Sequence, residues 1–280
     1  MNTSNSLLQI DALQLQHALL AGIVNVQARR DWLNRINVFP VPDGDTGTNL
    51  MFTLASVQQR IAASPPAQTQ PEMAHLMDQV ADAALDGARG NSGAIMAQFF
   101  HGMSEACRSY SVLDAGQLAK ATKAGAVAAW TAMSKPVAGT MPTVLEDFAD
   151  ELVKGFENGI DDIRQLFSQA RRAAHVSLAA TPEQLPVLRS AGVVDAGGQG
   201  FVDLLDGIWR YVRSGKLGSS GLALPSPEES PQHLPDQNLE ESYRYCTECL
   251  IEGAELDVGV LRSELENLSA DSLVVAGGGR

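Results

Sequence analysis

Residues 37–50 read Asn-Val-Phe-Pro-Val-Pro-Asp-Gly-Asp-Thr-Gly-Thr-Asn-Leu, an irregular segment between two helical patterns. Two carboxylates, Asp43 and Asp45, stand one residue apart in it, and hard oxygen ligands of this kind are what Mg²⁺ prefers. The segment then leads into a helix, whose first N–H groups favour an anion. The stretch predicts a magnesium–phosphate site, although a β-turn followed by a helix cap would explain the same residues.

Helical patterns extend on both sides of this segment. Apolar residues recur at helical spacing from about residue 5 to residue 32, and a second helix is expected from about Thr48 to Arg60. Further patterns cover residues 71–86, 94–106, 117–133, 143–157, 163–180 and 200–213. Thr181-Pro182-Glu183-Gln184 has the composition of another helix start. About eight helices in succession predict a mainly α bundle or barrel.

Two other loop regions contain residues that helix packing alone does not select. The glycine-rich stretch 87–93 places Asn91 and Ser92 at the start of a helix, where they could hold a phosphate, but an ordinary turn between helices would look the same. Residues 135–141 and 191–200 are glycine-bearing turns that open helices. Neither matches a Walker A loop or a dinucleotide-binding fingerprint, which argues against those folds.

The composition changes after the last of these helices. Residues 214–240 are rich in Gly, Ser and Pro and predict a linker. Beyond it we expect a strand over 243–252, a short helix over 256–270 and a strand over 272–275, which together begin an α+β domain. Cys246 and Cys249 have a CxxC spacing, but residues three apart on a strand point to opposite faces, which favours a structural role.

Charge and composition exclude several classes of function. The 280 residues include 20 Lys and Arg against 33 Asp and Glu, a net charge of −13, which argues against a nucleic-acid-binding surface. Three cysteines cannot form a disulfide framework, which indicates a reducing compartment. The chain begins without a signal-like segment, and no stretch approaches the roughly 18 apolar residues of a membrane span. We therefore expect a cytoplasmic protein.

Four segments together resemble a known family. They are NVFPVPDGDTGTNL, GARGNSGAI, KPVAGT and GVVDAGGQGF, in this order. The sequence is similar to the Dak2-domain proteins of the fatty acid kinase type, relatives of the nucleotide-binding subunit of dihydroxyacetone kinase. The resemblance continues more loosely over YCTECLIEG and LRSELENLSADSLVV. It implies a nucleotide-binding kinase domain (5–213), a linker (214–240) and a partial middle domain (241–280).

The resemblance implies an antiparallel eight-helix barrel that binds ATP or ADP and two Mg²⁺ ions at one end. Asp43 and Asp45 match the family's magnesium-binding aspartates, on which catalysis is expected to depend, and Asn37 is a candidate third metal ligand. The nucleotide-binding positions implied in the same way are Thr46, Thr48, Asn49, Asn91, Ser92, Gly93, Gly139, Thr140, Met141, Asp195, Gly197 and Gly198.

The implied reaction is transfer of the γ-phosphoryl group to a fatty-acid carboxylate that a separate DegV-like fatty-acid-binding protein presents, giving an acyl phosphate. The dihydroxyacetone-kinase relative has a histidine where Thr46 stands. A carboxylate acceptor is already ionised at neutral pH and needs no general base, which favours acyl phosphate. Two alternatives remain open: a small-molecule kinase of dihydroxyacetone type, and a non-catalytic nucleotide-binding fragment that ends early in the middle domain. A homodimer is equally compatible with the sequence.

Overall fold

The computed structural model describes residues 6–63, 72–215, 247, 249, 251, 253, 257–268 and 273–277. Two three-residue strands, β1 (Gln9–Asp11) and β2 (Val112–Asp114), pair antiparallel with Ile10 opposite Leu113. The rest of the regular structure is helical. The helices are α1 (Ala12–Ala28), α2 (Arg30–Arg35), α3 (Thr46–Ala62), α4 (Glu72–Asp86), α5 (Gly90–Cys107), α6 (Ala115–Ala132), α7 (Met141–Glu157), α8 (Ile163–Gln184), α9 (Pro186–Ala191), α10 (Ala196–Ser214) and α11 (Val258–Asn267).

Eight of these helices form a closed ring. Each contacts the next in the order α1, α3, α4, α5, α6, α7, α8 and α10, and α10 returns to α1. Successive helices run in opposite directions, because short connections join neighbours. His17 and Asn25 of α1 contact Tyr211 and Asp203 of α10, and Gly155 near the end of α7 lies against Leu166 near the start of α8, so these neighbours are antiparallel. The prediction of a mainly α, antiparallel eight-helix barrel is confirmed.

Alternation of direction divides the barrel into two ends. The N-termini of α3, α5, α7 and α10 lie together at what we call the motif end, which comprises residues 37–49, 87–93, 139–143 and 195–198. The N-termini of α1, α6 and α8 lie at the opposite end, which we call the capped end. Each quoted sequence motif thus begins a helix at the same end of the molecule.

The capped end shows why the first helix is shorter than its apolar pattern predicts. Asp11 caps α1 in a reciprocal capping box with Gln14, and Asp114 caps α6 in the same way with Gln117. The residues before both caps pair as β1 and β2, so the expected helix over residues 5–32 begins only at Ala12. The two capping boxes, an aspartate with glutamine three residues later, are visible in the sequence.

The expected helix start at Thr181 is wrong. Helix α8 continues through Pro182 and ends at Gln184. The Thr181 hydroxyl donates to the carbonyl of Leu178 (2.8 Å) and accepts the backbone N–H of Asp195 (3.1 Å). The hydroxyl is therefore used inside the fold, and it does not cap a new helix.

The barrel interior is apolar and encloses a cavity of about 230 Å³ that lies toward the capped end. Its walls include the rings of Phe99, Phe148 and Phe201, and the Phe201 ring contacts each of the other two edge to face. Arg164 and Tyr211 lie at its rim. None of the helices in the described ranges is long and apolar enough to cross a membrane.

The segment after the barrel is described only in part. The predicted linker, apart from Ser214 and Gly215, lies outside the described residues, as does most of the strand expected over 243–252. Helix α11 agrees with the helix expected over 256–270. In the second expected strand, Val274 pairs with Met133 at the end of α6. Cys246 lies outside the described residues, and Cys249 is exposed and free.

Candidate functional site at the motif end

The loop before α3 is folded over the side chain of Asn37. This amide is buried and donates to the carbonyl of Val41 (2.8 Å) and to Oδ1 of Asp43 (2.9 Å). Its own oxygen accepts the hydroxyl of Thr46. Because three hydrogen bonds converge on Asn37, the loop holds the Asp43 carboxylate in a defined position.

Asp45 occupies the N-cap position of α3 but caps nothing with its side chain. The backbone N–H of Thr48, which an N-cap carboxylate would normally accept, donates instead to Oδ1 of Asn34 in α2 (3.0 Å). The amide of Asn34 also donates to the Thr48 hydroxyl (2.9 Å). Helix capping therefore does not explain Asp45, whose carboxylate is left for another partner.

The carboxylate of Asp45 lies close enough to Asp43 to oppose the ionisation of Asp43. Burial raises the pKa of Asp43 above its usual value, and the charge of Asp45 and a hydrogen bond between the two side chains raise it further. A divalent cation would remove this repulsion, so the donor set fits Mg²⁺. No group of three His, Cys, Asp or Glu side chains suitable for a metal occurs among the described residues. Mg²⁺ sites commonly use one or two carboxylates together with water and substrate phosphate.

The glycine-rich stretch 87–93 contributes the first turn of α5 rather than a free loop, because α5 begins at Gly90. A Cβ atom at Gly90 would collide with the amide of Asn49, and one at Gly93 would collide with the hydroxyl of Thr53. These two contacts place the start of α5 directly against α3. The side chains of Asn91 and Ser92 are half-buried there.

The Ser92 hydroxyl has no hydrogen-bond partner within the described part of the chain, and the N-cap residue of α5 makes no capping bond. In the first turn of a helix, such a hydroxyl and the neighbouring N–H groups are suited to an anion.

The turn before α7 packs on the end of α8. Gly139 has a positive φ of 81°, and a Cβ atom there would lie 2.8 Å from Cβ of Gln184. The backbone N–H of Gly139 donates to the Thr143 hydroxyl (3.0 Å). The Thr140 hydroxyl donates to the carbonyl of Val137 (2.6 Å), so it is used within the turn.

The buried carboxylate of Asp195 joins the turns that open α7 and α10. It accepts the backbone N–H of Gly198 (2.7 Å) and that of Met141. Burial raises the pKa of Asp195 to about 6, although both hydrogen bonds act to lower it. Gly197 lies next to Met141, where an added Cβ would come within 3.1 Å of the methionine Cβ.

The motif end thus brings most of the sequence-predicted positions together. Gly200 of α10 approaches Leu50 of α3 so closely that a Cβ would collide with it. This contact joins the α7–α10 pair to the α3–α5 pair. Four of the predicted positions are buried and use their side chains inside the protein: Asn37, Thr46, Thr140 and Asp195.

The two ends of the barrel differ in how their helices begin. At the capped end, α1, α6 and α8 are capped by the side chains of Asp11, Asp114 and Asp162. At the motif end, Asp195 caps α10 and also accepts the first N–H of α7, but the N-cap residues of α3 and α5 make no side-chain capping bond. The positive ends of the α3 and α5 dipoles are thus not neutralised by their own N-cap residues, which suits an anionic ligand.

Asn34 is the residue of this site that the sequence did not reveal. It caps α3 from a neighbouring helix across 14 residues of chain. A local capping pattern places the cap at Asp45 instead. The only available signal was that Asn34 precedes the irregular segment.

Comparison with known proteins agrees with this geometry. The sequence model of the DAK2 domain matches residues 40–210. An uncharacterized protein of Staphylococcus saprophyticus is 36% identical over 250 residues, which are 87% of this chain and 44% of that protein. Protein YloV of Bacillus subtilis is 31% identical over 282 residues, 97% of this chain and 50% of that protein.

An uncharacterized protein of Staphylococcus aureus is 32% identical over 237 residues, 83% of this chain and 42% of that protein. The chain spans about half the length of the curated relatives it matches. The family match covers the motif-end segments except residues 37–39, which lie just before it. The chain therefore belongs to the kinase-related family of DAK2-domain proteins.

Proposed function

We propose that this chain is the nucleotide-binding part of an ATP-dependent, Mg²⁺-requiring phosphotransferase. It transfers the γ-phosphoryl group to a fatty-acid carboxylate presented by a DegV-like fatty-acid-binding protein, giving an acyl phosphate. The observation that carries the proposal is that the Asp45 carboxylate stands at the N-cap position of α3 but makes no capping bond. Asn34 accepts the N–H of Thr48 in its place. Membership of a kinase-related family supports it.

Asp43 and Asp45 are the residues that would hold magnesium, and the family resemblance suggests two ions. Bound magnesium would neutralise phosphate charge and polarise the phosphoryl oxygens. We assign Asn37 a positioning role instead of a direct ligand role, because its amide nitrogen binds Asp43 and its oxygen accepts from Thr46.

The triphosphate is proposed to lie across the starts of α3 and α5, whose own N-cap side chains make no capping bond. Thr48 and Asn49 belong to the first turn of α3, and Asn91, Ser92 and Gly93 to that of α5. The turns containing Gly139, Thr140 and Met141, and Asp195, Gly197 and Gly198, would close over the rest of the nucleotide. Phosphoryl transfer depends mainly on such positioning and on charge stabilisation.

The choice of a carboxylate acceptor is supported by Thr46. Its hydroxyl is buried and donates to Asn37, so it is not placed to remove a proton from an alcohol. A fatty-acid carboxylate is ionised at neutral pH and can attack phosphorus without a general base. A dihydroxyacetone-type acceptor would need such a base.

The domain division is part of the proposal. Residues 5–213 would be the kinase domain, 214–240 a linker and 241–280 the start of a middle domain. Helix α11 lies beyond the region assigned to the linker, and residues 273–275 hydrogen-bond to residues 132–134 at the end of α6, so the division rests on the family resemblance. Limited proteolysis tests it, because cleavage is expected between residues 216 and 240 and should leave a stable fragment ending near Gly215.

The reaction is tested with Mg-ATP labelled at the γ-phosphate. The chain is incubated with a DegV-like protein loaded with fatty acid, or with dihydroxyacetone, and any acyl phosphate is trapped by hydroxylamine. Labelled acyl phosphate in the first mixture alone is expected. Transfer to dihydroxyacetone would contradict the acceptor, and Mg-ATP binding without transfer to either acceptor would indicate a nucleotide-binding module.

Calorimetry tests the metal site separately. Asp43→Asn and Asp45→Asn should abolish Mg-ATP binding with helix content unchanged, whereas Asp31→Asn, an exposed carboxylate on α2, should bind like the wild type. Ser92→Ala should weaken Mg-ATP binding by about 1–2 kcal/mol, the value of one hydrogen bond to a charged group. Wild-type binding by both aspartate variants would disprove the site.

A further inference from the structure

Arg89 is a cation at the motif end that the proposed function has not used. It occupies the N-cap position of α5 and is exposed. Its guanidinium donates to the carbonyl of the adjacent Ala88 (2.6 Å), and no ion pair with Arg89 occurs among the described residues. At the far end of the same helix, Arg108 pairs with Glu105.

The backbone around Arg89 is held in place by two close contacts with α3. A Cβ atom at Gly87 would collide with Ser56, and one at Gly90 would collide with Asn49. Ser56 and Asn49 lie two turns apart on one face of α3. The residues between the two glycines, Ala88 and Arg89, therefore cross α3 in a fixed position although the Arg89 side chain is exposed.

This crossing places the residue after Arg89 one turn of α3 away from Asp45. The backbone N–H of Asn49 donates to the carbonyl of Asp45 (2.8 Å), and the Asn49 side chain contacts Gly90. Asn49 therefore lies between Gly90, the residue after Arg89, and Asp45 at the start of α3. The guanidinium nevertheless pairs with neither carboxylate in the described structure, so its five N–H donors remain largely available to an anion.

Other cations at this end are placed differently: Arg30 pairs with Asp31, and Arg35 lies over the ring of Trp32. Arg189 donates to the carbonyls of Pro182 (3.2 Å) and Glu183 (3.0 Å), which engages it with the end of α8. Lys135 lies on the connection between α6 and α7, five residues before Thr140. Arg89 directly precedes the turn containing Asn91 and Ser92, and its planar fork can bind two phosphate oxygens at once.

We propose that Arg89 is a further catalytic residue of this site, and that its guanidinium contacts the terminal phosphoryl group of the nucleotide. This inference rests on the proposed function. During transfer, a carboxylate oxygen of the acceptor forms a bond to the γ-phosphorus while the bond from that phosphorus to the β–γ bridging oxygen breaks. The electron pair leaves on ADP, no proton moves, and Arg89 stays charged and balances the negative charge on the phosphoryl oxygens.

The test compares Arg89→Ala and Arg89→Lys with Arg108→Ala, the matched control at the other end of α5. Calorimetry with Mg-ADP and Mg-ATP provides a readout that does not depend on turnover. Arg89→Ala should bind Mg-ADP within about twofold of the wild type and Mg-ATP about tenfold more weakly, since only ATP has the contacted group. Phosphoryl transfer should fall on the order of a thousandfold in kcat.

Arg89→Lys should recover only part of the loss, because an ammonium cannot bind two oxygens in a plane. Added guanidinium ion should partly restore transfer by Arg89→Ala and leave Arg108→Ala unchanged. Equal losses of Mg-ADP and Mg-ATP affinity, or wild-type behaviour of Arg89→Ala, would overturn the assignment. If the wild type binds Mg-ATP but transfers nothing, the kinase proposal fails while the ADP–ATP comparison still decides on Arg89. If the wild type binds no Mg-ATP, both proposals are wrong.

Discussion

The carboxylate of Asp195 accepts the backbone N–H of Met141 as well as that of Gly198, so one buried side chain caps two helices. Thr140, the N-cap residue of α7, makes no side-chain capping bond of its own. Residues more than 50 positions apart in the chain are thereby joined at the motif end. The turn before α7 consequently depends on the start of α10.

Replacing Asp195 by alanine removes both caps at once. We expect Asp195→Ala to lower the free energy of unfolding by about 2–4 kcal/mol, because two buried N–H groups lose a charged acceptor. Urea unfolding measures the loss, and hydrogen exchange at Met141 should accelerate. Asp162→Ala, which uncaps only α8 at the capped end, should cost about 1 kcal/mol. Equal losses in the two variants would contradict the double role.

The pH dependence of stability gives an independent test of Asp195. Burial raises its folded-state pKa from an ordinary value of 3.8 to about 6. Between these values the folded protein binds more protons than the unfolded chain, so its stability falls as pH rises from 4 to 6. Asp195→Asn should show a shallower fall over this range in urea unfolding. The pKa of Asp203 is also raised, but Asp203 is present in the wild type and in the variant. If the free energy of unfolding fell equally steeply with pH in the two proteins, the Asp195 effect would be ruled out.

Asn37 provides a way to separate loop positioning from direct metal binding. Asn37→Ala should destabilise the metal-free protein by about 1–3 kcal/mol, because the Val41 carbonyl, Asp43 and Thr46 lose a buried partner. Thermal unfolding without magnesium measures this cost. A variant with wild-type metal-free stability but weakened Mg²⁺ affinity would instead make Asn37 a direct ligand.

The contact between α3 and α5 is tested by a double-mutant cycle. Gly93→Ala should cost about 1–3 kcal/mol, because the new methyl group collides with the Thr53 hydroxyl. Thr53→Ala removes that hydroxyl, so the double variant should lose less stability than the sum of the two single variants. Strict additivity in urea unfolding would show that the collision is relieved elsewhere.

The ion pair between Arg29 and Asp203 (3.0 Å) links α1 to α10 and is nearly inaccessible on the aspartate side. Arg29→Ala should cost about 3–5 kcal/mol at neutral pH, because it leaves a buried carboxylate unpaired. The cost should shrink as pH falls toward about 6 and below, because the folded-state pKa of Asp203 is raised to about 6 and a protonated carboxyl no longer needs the guanidinium. Arg30→Ala, from the exposed pair with Asp31, should cost under about 1 kcal/mol.

The sequence predicted the helices and the grouping of motifs better than the contacts that hold the motifs in place. Helices α3, α4 and α7 follow their apolar periodicity to within a few residues. Thr181 has local helix-start chemistry, but its hydroxyl is used by Leu178 and Asp195. That use depends on partners brought together only by the fold, and periodicity does not report it.

The capping of α3 by Asn34 could likewise not be predicted from the local sequence. Local pattern analysis identified Asp45 as either a metal ligand or a helix cap. The two interpretations differ only in whether another residue accepts the N–H of Thr48. That depends on tertiary contacts, which the local sequence does not report. The starts of α1 and α6, directly after β1 and β2, had a readable signal, since each has an aspartate with a glutamine three residues later.

The closed ring of helices has a consequence for the connectivity of the chain. Helices α1 and α10 are neighbours. The start of α1 meets the end of α10 at the capped end, where the hydroxyl oxygen of Tyr211 lies 3.3 Å from Nδ1 of His17. A circular permutant that joins residue 215 to residue 6 and opens between α8 and α9 would keep every neighbour in the ring. The new junction would lie a full barrel length from the acidic loop. The barrel that brings the four motifs together is thus not expected to require the natural order of the helices along the chain.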